Sequence, residues 1–361
     1  MDDRLQSRQR VRVLIVDDSA FARRTLTKIL EQDSRVEVVG TAWDGREAID
    51  KISRLHPDVV TMDLNMPNMT GTEALDIIMR EMPLPVIVVS SLDQEIIEET
   101  LEALEHGAVD FILKPTELAS EKLFQIQSTL INKVVAIASL KGEALQHTMQ
   151  ASQQQPIHAP ALPAPPPISS TNTDCVAIGV STGGPTALYQ IIPALPTDFP
   201  AGTIIVQHMP AGFTKPLAER MNKNSHITVK EAEMGDTITP GVALVAPGGK
   251  HLYLERQKNH AVMVRIDSEP SHTIHIPSID ITFTDVANIY RERCIGVILT
   301  GMGKDGVEGL ATIKHHGGRS IAEDESTCVV FGMPEVAIKR GIVDRVVPVY
   351  HLAETLLKMI Q

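Results

Sequence analysis

Between residues 142 and 172 the chain loses every repeating apolar face and fills with proline, glutamine, alanine and serine, running through HTMQASQQQPIHAPALPAPPPISSTNT. Proline removes backbone donors and favours extended polyproline conformations, so such a stretch reads as a semi-rigid tether, not as part of a core. Whatever flanks it must fold by itself. With 361 residues the chain is long enough for two cores. The reading is a folding unit over 11–133, a linker over 142–172 and a second unit over 173–361.

Both flanks carry the same periodicity. In the first, short β-branched runs at 11–16, 36–41, 59–62, 86–90 and 111–113 alternate with helical patterns at 20–31, 45–55, 71–81 and 94–105, and a fifth helix is expected from about Ala119. Strict alternation of β and α predicts a parallel sheet with helices on both faces. In the second, apolar strands are expected at 175–180, 203–206 and 295–299, a strand at 242–246, and a hairpin at 252–255 and 262–266. Helices are expected from Pro185, from Phe213, at 285–291 and at 306–315. Fully apolar strands again imply a doubly wound, mainly parallel α/β sheet.

Composition narrows the partners. The net charge of −12 argues against nucleic acid or anionic lipid as the main ligand, and no basic recognition helix is present to support a transcriptional regulator. Cys175, Cys294 and Cys328 each begin an apolar run without Cys-x-x-Cys spacing, as expected of buried thiols in a reducing compartment. The polar start MDDRLQSRQR has no apolar signal core, and no apolar run is long enough to span a bilayer. A cytoplasmic protein without membrane insertion is expected.

Five residues of the first flank fall at strand ends: Asp17 and Asp18, Asp63, Ser90 and Lys114, the last followed by Pro115. In a doubly wound sheet these ends share one edge. Three carboxylates there repel one another unless a divalent cation intervenes, and an all-oxygen set suits Mg²⁺. A metal-bound carboxylate beside a lysine is suited to receive a phosphoryl group, with Ser90 donating to the new phosphate. That adds nearly two charges, which is a switch. With TMDLNMPNMTG these residues resemble the response-regulator receiver family, whose fold is flavodoxin-like. The resemblance implies Asp63 as phosphoacceptor, Asp17, Asp18, Asp63 and the Asn65 carbonyl as metal ligands, Ser90 as switch hydroxyl and Lys114 as phosphate contact. Thr70 stands where many receivers have Asp, outside the metal set.

In the second flank, Gly179–Pro185 reads GVSTGGP between an apolar strand and a helix, with Ser181 at the tight turn. Such a serine sits above the sheet near helix N-terminal amides. His208 ends the next strand and is the expected base; Asp305, in TGMGKDG after a third strand, is the expected acid. Met302 in that turn offers an amide to an oxyanion. Taken alone, GVSTGG fits a nucleotide loop as well as a nucleophile. A dinucleotide site, however, needs G-x-G-x-x-G and an acidic residue where His208 stands. Asp280 is the alternative acid, with a helix cap as its other reading. His251, His272, His275, His315 and His316 suggest no role.

Together GVSTGGP, QHMPAGFT, APGGKHL, PSIDITF, LTGMGKDG and CVVFGMP resemble the chemotaxis receptor methylesterase family. The resemblance implies a phosphorylation-activated serine hydrolase with Ser181, His208 and Asp305 as triad and Thr182 and Met302 lining the site. It implies no metal in this half. The implied substrates are glutamate γ-methyl esters, and certain glutamines, on methyl-accepting chemotaxis receptors; the implied phosphodonor is a chemotaxis-type sensor histidine kinase. A tether of this kind keeps two domains at high mutual concentration, so the first is expected to mask the second until Asp63 is phosphorylated. Ile276 stands where the family has Arg, which leaves receptor preference open.

Overall fold

The computed structural model describes residues 10–114, 121–138 and 173–360, with backbone only for 121–126. The tether, Pro115 and Ala119 lie outside the described residues. The chain divides into two units, Met1–Met149 and Gln150–Gln361.

The first unit runs β1 (Val11–Val16), α1 (Ala20–Leu30), β2 (Val36–Ala42), α2 (Gly45–Leu55), β3 (Val59–Met62), α3 (Gly71–Glu81), β4 (Val86–Ser90), α4 (Gln94–Glu105), β5 (Asp110–Leu113) and α5 (Glu121–Ile137). Its sheet is parallel throughout, in the order β2-β1-β3-β4-β5. Val13 to Val16, and every residue of β3 and β4, are buried. That is why these strands read as apolar runs and do not alternate. Helix starts are written locally. Ser19, Asp44 and Thr70 each accept an N-terminal amide of α1, α2 and α3, and Thr70 forms a full capping box with Glu73. Thr70 therefore serves the helix.

The second unit contains β6 (Cys175–Val180), α6 (Gly184–Ile191), β7 (Gly202–Gln207), α7 (Thr214–Asn224), β8 (Thr228–Glu231), β9 (Val242–Val245), β10 (His251–Arg256) and β11 (Val262–Asp267). It continues with α8 (Ile279–Tyr290), β12 (Cys294–Ile298), α9 (Val307–His315), β13 (Arg319–Glu323), α10 (Met333–Lys339), β14 (Arg345–Val347) and α11 (Leu352–Ile360). Seven strands form a parallel sheet in the order β14-β13-β12-β6-β7-β9-β8, and β10 and β11 form a separate antiparallel hairpin. The three cysteines are buried thiols. Among the described residues no helix is long and apolar enough to cross a membrane.

Two features differ from the sequence expectation. The short β8, β13 and β14 and the helices α10 and α11 were not anticipated. The helix expected at 285–291 begins at Ile279, because its start signal is not local. Ser278 occupies the N-cap without a side-chain cap bond. The Ile279 and Asp280 amides donate instead to Asp305, at 2.8 and 3.2 Å. The buried face of α8 (Ile279, Phe283, Val286, Ala287, Tyr290) then packs into the core.

From β6 the chain builds outward through β7 and β9, then returns to the other side of β6 to lay down β12, β13 and β14. The strand order reverses between β6 and β12. The crevice above such a reversal is where open α/β sheets bind ligands.

Candidate functional site

At the carboxyl edge of the first sheet, Asp17, Asp18 and Asp63 each bring an oxygen within 4.8 Å of the others. Asp17 follows β1 and Asp63 follows β3, the neighbouring strands at which the order reverses. Asp17 and Asp63 are buried, and Asp18 is exposed. Lys114 Nζ lies 2.6 Å from Asp63 Oδ2 and 3.2 Å from Asp17 Oδ2. Burial lifts the Asp63 carboxyl above its usual range, the Lys114 hydrogen bond opposes this, and the Asp17 charge adds to it. One lysine does not neutralise three carboxylates, and the buried Asp17 Oδ2 has only its 3.2 Å ion-pair contact with that lysine. This hard-oxygen set fits Mg²⁺.

The other two predicted residues are placed differently. The Ser90 hydroxyl is buried against Thr100 Oγ1 of α4, 2.7 Å away, and is not bonded to the acid cluster. Asn65 is exposed, and its amide lies 3.4 Å from Asp63 Oδ1.

At the carboxyl edge of the second sheet, Val180 and Gln207 are register partners on β6 and β7. Ser181 and His208 each come one residue later, on strand tips about 5 Å apart. The His208 amide donates to Val180 O at 3.0 Å and the Ser181 amide to Thr300 O at 3.0 Å, which extends the ladder to the β12 loop. Gly183 adopts φ +78 and turns the chain sharply from Ser181 into α6. A Cβ on Gly301 would fall 2.7 Å from Ser181 Cβ, so only glycine lets that loop pass so close. Among the described residues the Thr182 and Met302 amides donate to no hydrogen bond.

His208 and Asp305 are joined by a 2.7 Å hydrogen bond between Nε2 and Oδ2. Asp305 also accepts from Ser278 Oγ at 2.9 Å, as well as from the two α8 amides. Burial works against its charge but is outweighed, first by the bond from His208 and then by those amides. The carboxyl is held well below the usual range. With Nε2 committed, Nδ1 is the nitrogen left to take a proton, and it is buried without a partner. Asp280 is in hydrogen-bond contact with Asp305 but makes no bond to His208, and its Oδ1 accepts from the Gly309 amide at 2.7 Å, tying α8 to α9. Burial, together with the Asp305 charge, pushes Asp280 up to about 6. His208 is thus partnered by Asp305 and not by the alternative acid.

Several neighbours escaped the sequence reading. Gln207 Nε2 donates to the Ser181 and His208 carbonyls at 3.0 and 3.1 Å and clamps the two tips. Glu323, on the tip of β13, accepts from the Thr300 amide at 2.8 Å, and burial pushes it up to about 7. The Thr300 hydroxyl reaches Thr182 O at 2.9 Å. His251, without an expected role, is fully buried and accepts from the Ser278 amide. His275 stacks on His208 with ring centroids 4.0 Å apart. The strand-end position of Glu323 was the only usable signal among these. The rest depend on loops whose path the sequence does not encode.

Known proteins share both halves. Residues 176–356 match the model of the CheB methylesterase family, and residues 13–126 match that of the response regulator receiver domain. A protein-glutamate methylesterase/protein-glutamine glutaminase of Lawsonia intracellularis is 47% identical, covering 95% of this chain and 97% of that protein. One of Archaeoglobus fulgidus is 43% identical, covering 97% and 98%. The crystal structure of the Thermotoga maritima CheB methylesterase catalytic domain superposes with a TM-score of 0.51 at 48% identity, covering 52% of this chain and all of that one. With a receiver edge in one unit and a serine–histidine–aspartate edge in the other, the chain belongs to the protein-glutamate methylesterase/protein-glutamine glutaminase family.

Proposed function

We propose that Ser181 is the nucleophile, His208 the general base and Asp305 its orienting acid in the hydrolysis of glutamate γ-methyl esters and glutamine side-chain amides on chemoreceptors. Ser181 Oγ attacks the γ-carbonyl as its proton passes to His208 Nδ1. The resulting imidazolium is stabilised by Asp305, and the negative oxygen is met by the Thr182 and Met302 amides, each worth about 3 kcal/mol. Methanol, or ammonia from an amide, leaves with the proton from His208. Water, deprotonated by the same nitrogen, then releases glutamate and restores the serine. The observation that carries this reading is the His208–Asp305 bond, with a free, buried nitrogen on the other side of the imidazole.

The first unit supplies control. Asp63 is the phosphoacceptor, and the phosphodonor is a sensor histidine kinase of the chemotaxis type. Asp17, Asp18, Asp63 and the Asn65 carbonyl would hold Mg²⁺, which when bound offsets the carboxylate charge and that of the incoming phosphoryl oxygens. Lys114 pairs with the phosphate, and the Ser90 hydroxyl leaves Thr100 to donate to it, passing the change to α4. The domain limits fitting this scheme are 11–133, 142–172 and 173–361. Its place is the cytoplasm, where kinase and receptor helices are both accessible.

The test is methanol release from a methylated receptor fragment, with and without acetyl phosphate and Mg²⁺. Stimulation is expected in the wild type and none in Asp63→Asn. Release by Ser181→Ala at the wild-type rate would overturn the assignment.

A further inference from the structure

His208 is anchored by a single side-chain bond, from Nε2 to Asp305. One bond at one end of a ring leaves its plane free to turn, and Nδ1 has no partner to stop it. His275 lies flat against that ring: the two centroids are 4.0 Å apart and the planes only 12° from parallel.

The segment carrying His275 is itself held on both sides. The Gly249 amide donates to Ile276 O at 3.1 Å. Thr273 Oγ1 donates to His275 O at 3.0 Å and lies 3.2 Å from His251 Nε2. His251 is fully buried, and its Nδ1 accepts from the Ser278 amide at 3.1 Å, so its remaining proton sits on Nε2, facing Thr273. Three residues after His275, Ser278 Oγ donates to Asp305. A single pinned loop thus touches both members of the His208–Asp305 pair, the base through a ring face and the acid through a hydroxyl.

We propose that His275 is a positioning residue for hydrolysis: its imidazole, stacked on His208, fixes the plane of the base and with it the direction in which Nδ1 points. This rests on His208 being the base. What matters is a flat ring at this position, whatever protons it carries, and that separates stacking from a proton-handling role. Offset or parallel aromatic contacts of this kind carry enough energy for a rate effect of about tenfold.

The experiment uses the full chain with acetyl phosphate and Mg²⁺. It reads the rate of Ser181 labelling by a fluorophosphonate, located by mass spectrometry, together with kcat and KM for methanol release. His275→Leu fills similar volume without a flat ring and should slow labelling and kcat by about tenfold with KM changed less than about twofold. His275→Phe restores a flat ring and should label within about threefold of the wild type. Thermal unfolding qualifies each variant, and His275→Asn replaces His275→Leu if that protein does not fold. Wild-type labelling in the variant without a ring, or a His275→Phe as slow as it, would overturn the proposal. His208→Ala is run alongside. If it labels at the wild-type rate, the base assignment itself fails. If it is silent while loss of the 275 ring has no effect, the stacking role alone fails.

Discussion

The two sheet edges use the same carboxyl-end geometry and leave their aspartates in opposite electrostatic states. At the first edge Asp63 is raised by burial and by Asp17, and one lysine is shared between the two, leaving a buried Asp17 oxygen with only that ion-pair contact. At the second, Asp305 collects one imidazole, one hydroxyl and two helix amides and is held low. An under-bonded carboxylate is ready for something that arrives: a cation, then a phosphoryl group. A saturated one is a fixed charge, suited to stabilising an imidazolium that forms and vanishes in every turnover. Position in a fold therefore does not assign a role to an aspartate; its count of donors does.

The largest effect expected on this contrast separates the edges outright. Ser181→Ala should lower methanol release by about 10⁴-fold or more while leaving phosphoryl uptake at Asp63 intact. If it also blocks uptake, the edges are not independent. Next, Asp305→Ala should cost about 10⁴-fold in kcat and also destabilise the second unit by about 1–2 kcal/mol in urea unfolding, because α8 loses its cap. Asp63→Ala should abolish uptake without destabilising the first unit, since it removes a burdened charge. Equal destabilisation by the two substitutions would erase the distinction between saturated and open carboxylates.

A smaller effect tests the exception within the second edge, Glu323, a buried acid raised to about 7. In the unfolded chain a glutamate ionises near about 4.3, so between about 4 and 7 the native protein keeps a proton that the unfolded chain gives up. Stability therefore falls as pH rises through this window, and the whole cost, on the order of 3 kcal/mol, is present above about pH 7. Glu323→Gln should remove that decline, gaining on the wild type at pH 8 but not at pH 4 in denaturant titrations. Parallel pH profiles for the two proteins would mean that Glu323 is not held protonated. Smallest is metal binding. Mg²⁺ at a hundred times its Kd should stabilise the first unit by about 2.7 kcal/mol, and Asp17→Asn should lose that shift. A shift unchanged in Asp17→Asn would place the ion elsewhere.

Legibility from sequence followed the range of the interactions. The strands of the first unit could be located because fully buried parallel strands must be apolar along their length, and its helices because their buried residues recur every three or four positions. Ser181, His208 and Asp305 stood out because each follows an apolar run, and the structure brings them to neighbouring tips. The start of α8 was misplaced because its cap, Asp305, lies 26 residues beyond Ile279. Asp305, bonded to His208, therefore doubles as a cap that no local pattern can reveal.

Strand periodicity was enough to read the two α/β units from the chain, and with them the carboxylate and lysine set of one edge and the strand-end Ser181 and His208 of the other. That Asp305 and not Asp280 meets His208, that Ser90 faces Thr100, and that His275 stacks on His208 is visible only in three dimensions. Those outcomes depend on the paths of loops after strands, which are set by contacts between residues tens of positions apart and leave no periodic trace in the chain.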